Sequence, residues 1–145
     1  MTVKSIFVPT QLFIHYLTND LPDLGDQIEQ LIQRARAGEY KLITHALVMV
    51  ELVWMLDYVY HLSKEDIQHK VLAILNTPGF SIPDIDILFR ACYLYTEKDW
   101  DFLDAYNHAW METQGVGQYV HFQLQPTPLL EVMEITPGKL EPKPS

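Results

Sequence analysis

Residues 41–60 read KLITHALVMVELVWMLDYVY. Lys41 to Thr44 is a short run with an apolar centre, as a strand requires, and the apolar segment from Ala46 to about Tyr60 is too long to be another strand. A strand running into a long helix is one half of a β-α-β unit, the signature of a parallel sheet. A helix this apolar is expected to lie largely in the core. It contains Glu51 and Asp57 and falls short of the roughly 20 apolar residues that a membrane span needs, so no membrane contact is expected.

The same alternation extends in both directions. Ser5 to Val8 suits the first strand of a buried parallel sheet, ended by Pro9. Thr10 to Leu17 predicts a short helix. Asp23 to Arg36 predicts another, with Leu24, Ile28, Leu31, Ile32 and Ala35 on one face and Gly38 closing it. Ser63 followed by Asp66 resembles a capping box that opens a helix to about Leu75, and Asn76-Thr77-Pro78-Gly79 stops it. Phe80 to Ile82 reads as a third strand. Pro83-Asp84 starts a helix to about Thr96, Trp100 to Thr113 forms the next, and Gly115 and Gly117 terminate that one. Tyr119 to Phe122 is the fourth strand, and Leu129 to Ile135 adds an edge strand. The expected architecture is α/β, with a mainly parallel sheet of four or five strands flanked by helices. One domain spans residues 1–136, and the Pro-rich run 137–145 has the composition of a flexible tail.

Composition narrows the function. With 145 residues, 48% hydrophobic and 20% charged, the chain has the balance of one globular domain. Its net charge of −9 argues against broad attraction to a phosphate backbone, so any nucleic-acid contact must be local. Arg34, Arg36 and Lys41 are the notable basic cluster and read first as a solvated helix end. The single cysteine, Cys92, rules out an intrachain disulfide and fits a reducing cytosol. Its helical spacing from Leu88 and Tyr95 makes it a core residue. The amino-terminal apolar run is too short for a signal peptide, which points to a cytoplasmic protein.

Ligands of a doubly wound sheet gather outside the carboxyl ends of its strands, so acids there are the first candidates. An ionised Glu51 amid so much apolar surface is costly unless paired, metal-bound or turned to solvent. Asp101 and Asp104 share the face of a helix's first turn, where they can hold a cation or simply complement the helix dipole. His121 has two readings, a nearby ligand or a hydrogen-bonded structural residue. His15, His45, His61, His69 and His108 show no zinc-ligand spacing. Ser-His-Asp order, a phosphate-cradling glycine loop and a dinucleotide fingerprint are all lacking.

Three stretches in order resemble PIN domains of the VapC ribonuclease-toxin type over about residues 1–135. They are Tyr16-Leu17-Thr18-Asn19-Asp20, Val50-Glu51-Leu52-Val53-Trp54-Met55-Leu56 and Asp101-Phe102-Leu103-Asp104-Ala105. Their order makes the signal more specific than any one of them. The resemblance implies a PIN-like three-layer sandwich with Glu51 and Asp104 as the catalytic acids. It assigns Glu51, Asp101 and Asp104 as ligands of Mg²⁺ or Mn²⁺, which in the family activate water against an RNA phosphodiester. It also implies an RNA substrate, an antitoxin partner and a homodimer.

Two positions depart from that pattern. Pro9 stands where the family places an aspartate at the end of the first strand, and Gln123 where it often places another after the fourth. The expectation is therefore a site with weak or lost nuclease activity, in which Glu51, Asp101 and Asp104 converge in one cleft lined by Pro9 and Gln123. Two rivals stand beside it: a working Mg²⁺-dependent ribonuclease with substitute ligands, and a non-catalytic module for dimerisation or partner binding.

Overall fold

The computed structural model describes residues 3–134, so the tail expected at 137–145 lies outside the described residues. Strand β1 (Lys4–Phe7) leads into helices α1 (Thr10–Thr18) and α2 (Pro22–Arg36), then β2 (Tyr40–Ile43) and α3 (Ala46–Tyr58). Helix α4 (Lys64–Leu75) precedes the short β3 (Phe80–Ser81), followed by α5 (Ile85–Glu97) and α6 (Phe102–Gln114). Strands β4 (Gln118–Gln123) and β5 (Leu129–Glu134) complete the order. The fold is α/β as expected, a parallel sheet flanked by six helices. No helix among the described residues is long and apolar enough to cross a membrane.

The sheet has three strands in the order β1-β2-β3, with Ile6 opposite Leu42 and Leu42 opposite Phe80. The expectation of four or five strands in that sheet is corrected. Strands β4 and β5 pair with each other, antiparallel, as a separate two-stranded sheet. Five residues join them, a length suited to a hairpin and too short for a parallel crossover. Strand β1 consequently ends the sheet. It is an edge with most of its residues exposed, contrary to the buried strand expected.

Local chemistry explains the helix ends. The Ser63 hydroxyl accepts the amide of Asp66 at 3.2 Å, the expected N-cap of α4. Gly115 takes a left-handed conformation, φ 66°, and ends α6. At Gly79 two demands coincide, since φ is 96° and an added Cβ would lie 2.9 Å from the Ala35 Cβ, so the α4–β3 turn can press against α2.

Side chains from the parallel sheet's strand ends and the helices meet in one core. Val8, Phe13, Leu42, Met49, Leu52, Leu56, Ile67, Leu88 and Trp100 are all buried. The buried Thr44 hydroxyl is satisfied by donating to the Val8 carbonyl at 3.2 Å, tying the carboxyl ends of β1 and β2. Cys92 is buried as expected, and desolvation pushes its thiol up to about 12, far from a reactive thiolate. Arg34 pairs with Glu39 at 2.5 Å and lies over the Tyr40 ring, so the basic cluster is a solvated helix end.

Candidate functional site

Each parallel strand delivers the chain to a helix start at the same edge of the sheet. Pro9 follows β1 and is the N-cap of α1, without a side-chain cap. His45 follows β2 and occupies the N-cap of α3. Asp84 follows β3 and is the N-cap of α5, in a left-handed conformation with φ 57°. His45, Ala46, Leu47, Pro83 and Asp84 line a shallow, open depression there. The Phe7 ring lies 5.5 Å from the His45 ring on its rim. Sequence reasoning passed over His45 and Asp84. Their signal was position: each sits at the junction between a strand and the following helix, where ligands of such sheets collect.

Glu51 lies on α3, and it is exposed. The desolvation argument that singled it out therefore does not apply, and the solvent-facing turn is what the helix displays. Leu47, Trp54 and Tyr58 are exposed on the same helix at spacings of three and four residues from Glu51 or from each other, with the Trp54 and Tyr58 rings 5.5 Å apart. The opposite side of α3 buries Val48, Met49, Leu52, Val53 and Leu56.

Asp101 is the exposed N-cap of α6, and Asp104 lies half-buried in its first turn. Helix α6 packs against α3, the helix of Glu51. Among the described residues, however, no three His, Cys, Asp or Glu side chains are gathered into a group able to hold a metal ion. The donors as placed do not form a three-ligand set for a cation. Strand pairing does not link Gln123 to Pro9 either. The Gln123 amide donates to the Thr127 carbonyl at 3.3 Å, inside its own hairpin. His121 lies half-buried on β4 opposite Glu131.

The start of α6 is held in place from below. Lys64 Nζ donates to the Trp100 carbonyl at 2.6 Å and to the Tyr95 carbonyl at 3.3 Å, lies over the Tyr95 ring and pairs with Asp99 at 3.1 Å. Buried Trp100 stacks on His108 with ring centroids 4.6 Å apart, and His108 meets Tyr119 edge-on at 5.6 Å. This chain of rings connects the α5–α6 turn, α6 and β4.

Burial pushes the His108 pKa below its ordinary value, against the opposite pull of Asp104 and Glu112. A histidine kept neutral by folding contributes stability that is complete above its unfolded pKa of about 6.5 and is lost as pH falls through its lower folded pKa. His108→Phe keeps the ring contacts and removes the titration. The fall in urea midpoint between about pH 7 and about pH 5 is expected to shrink in this variant. Asp20 and Glu29, whose pKa values are lowered by hydrogen bonds from His15 and Tyr16, lose their contribution progressively below about pH 5, at the lower end of that window. An unchanged pH dependence would remove His108 as its source.

The Tyr16–Asp20 stretch ends a helix and braces the next. Asn19 is a left-handed C-cap of α1, Asp20 accepts from His15 at 2.9 Å, and the Tyr16 hydroxyl donates to Glu29 of α2. No family model matches the chain. Among curated proteins, a VapC ribonuclease of Aquifex aeolicus (strain VF5) is 29% identical over 113 residues, covering 78% of this chain and 83% of the relative.

Proposed function

We propose that this chain is a VapC-like protein of PIN type, built on a ribonuclease-toxin scaffold whose metal-dependent cleavage is weak or lost. The observation that carries this reading is Pro9. It stands at the carboxyl end of β1, on the edge where the three parallel strands discharge, and its side chain has no ligand atom. Similarity to the Aquifex VapC ribonuclease over most of both chains supports the scaffold, and Glu51, Asp101 and Asp104 lie in the segments whose sequence resembles the family. In this reading RNA is the ancestral substrate, an antitoxin is the partner class and the cytoplasm is the compartment.

Glu51, Asp101 and Asp104 are the residues that would hold Mg²⁺ or Mn²⁺, and such an ion would supply an activated water and charge stabilisation at a phosphodiester. Their own contribution is negative charge from two packed helices. A cluster of this kind needs several carboxylates to hold a hard cation, and Pro9 and Gln123 offer none.

Purified protein is expected to leave single-stranded RNA uncut in millimolar Mg²⁺ or Mn²⁺. Robust cleavage that disappears with chelator and with Asp104→Asn would overturn the lost-activity reading and establish the working nuclease. That rival draws support from His45 and Asp84, two donor side chains at the carboxyl edge of the sheet. Asp84→Asn would then abolish cleavage as well.

A further inference from the structure

We infer that the β4–β5 hairpin is exchanged between two copies of this chain, the hairpin of one lying along the open edge strand β1 of the other and extending its sheet. Two uncovered surfaces, neither tied to the ribonuclease reading, point to it. Strand β1 has a partner only in β2 among the described residues, and Val3 and Phe7 are 48% and 54% exposed. Across the hairpin, Val120 faces Val132 and Phe122 faces Leu130, and all four are between 57% and 69% exposed. These four side chains share one face of the hairpin.

A two-stranded hairpin is marginally stable in water unless a further strand or a helix covers it. Here Tyr119, on the other face, meets His108 of α6, while the apolar face has no cover among the described residues. An open strand edge and an exposed apolar hairpin are each a template for strand addition.

The composition of the hairpin selects the occupant. Residues 118–134 contain no lysine or arginine and only Glu131 and Glu134 as acids, so the hairpin lacks the cationic side chains that dominate nucleic-acid affinity. The same near-neutrality lets two copies approach at this face although each carries a net charge of −9.

The hairpin also has a hinge. Gly115-Val116-Gly117 joins it to α6, and an added Cβ at either glycine would meet nothing within 4 Å. Swinging about this link in two copies makes two identical contacts around a two-fold axis, a closed arrangement that leaves neither β1 edge open.

Sedimentation of the full chain at micromolar concentration is expected to show a dimer. Val120→Glu combined with Phe122→Glu is expected to weaken it by about tenfold or more, because charges would enter an apolar contact. Phe7→Glu, on the other element, is expected to do the same. Far-UV circular dichroism reports whether each variant folds. Independently of folding effects, Phe7→Cys chains mixed with Phe122→Cys chains and treated with a short bismaleimide are expected to give a covalent dimer containing one of each. A monomer at micromolar concentration overturns the inference. So does a dimer indifferent to all three substitutions, or a chain carrying both cysteines that crosslinks only within itself.

Discussion

Pro9→Asp combined with Gln123→Asp is expected to raise the affinity of this protein for Mn²⁺ or Mg²⁺ by one to several orders of magnitude. Each substitution restores a formal negative charge. Attraction of about 1–4 kcal/mol per close charge, between water-like and surface-like dielectric, corresponds to that range for the pair. The fold tolerates the first change because Pro9 is the N-cap of α1 and caps it with no side-chain hydrogen bond, and aspartate is a favoured residue at that position. The second falls on an exposed strand end.

Isothermal titration of the parent, both single variants and the pair separates the contributions. Pro9→Asp alone acts at the carboxyl edge of the sheet. Gln123→Asp adds to it only if the hairpin is brought against β1, so the difference between the pair and Pro9→Asp also reports on whether the hairpin reaches that edge. No gain from the pair would mean that Glu51, Asp101 and Asp104 do not share a site with residue 9, and the proposed ancestry of the cluster would fall.

What the sequence disclosed and what it hid divide along local and non-local physics. Helix ends depend on a few adjacent residues, so Ser63 with Asp66 and the left-handed Gly115 were legible as caps. Strand partners are not local. Gln118 to Gln123 places apolar or aromatic side chains on both faces, Tyr119 on one and Val120 and Phe122 on the other, so its pattern suits a central strand as well as a hairpin. The short link to β5 was the one clue to antiparallel pairing.

The site divides in the same way. Helix α3 is apolar around much of its circumference, which left no periodicity to show that Glu51 points outward. Asp101 and Asp104 were correctly placed at the start of a helix, but their distance from Glu51 is set by how α6 packs on α3. His108 gave no signal at all. Its role depends on Trp100 eight residues before it and Tyr119 eleven residues after, a meeting visible only in three dimensions.

Trp100→Ala is expected to destabilise the protein by about 3–5 kcal/mol, the range for truncating a buried aromatic side chain. Trp100 is 1% exposed and heads the fully buried side chains by size. Its removal would open a cavity beneath the α5–α6 turn and leave the His108 ring without its stacking partner. One term acts in the other direction. The Trp100 Nε1 is buried with no hydrogen-bond partner among the described residues, and an unmade buried hydrogen bond costs about 1–3 kcal/mol. Trp100→Phe drops that group while keeping a ring, so its loss in urea unfolding is expected to be clearly smaller than that of Trp100→Ala. Both variants keep the backbone carbonyl that accepts from Lys64 at 2.6 Å, which isolates the side chain's share of the anchor. With total stability of about 5–15 kcal/mol for a domain, Trp100→Ala would lower the urea midpoint sharply without abolishing folding outright. A loss below about 1 kcal/mol would show that the turn collapses onto the space, and that Asp101 and Asp104 are positioned by Lys64 rather than by the ring beneath them.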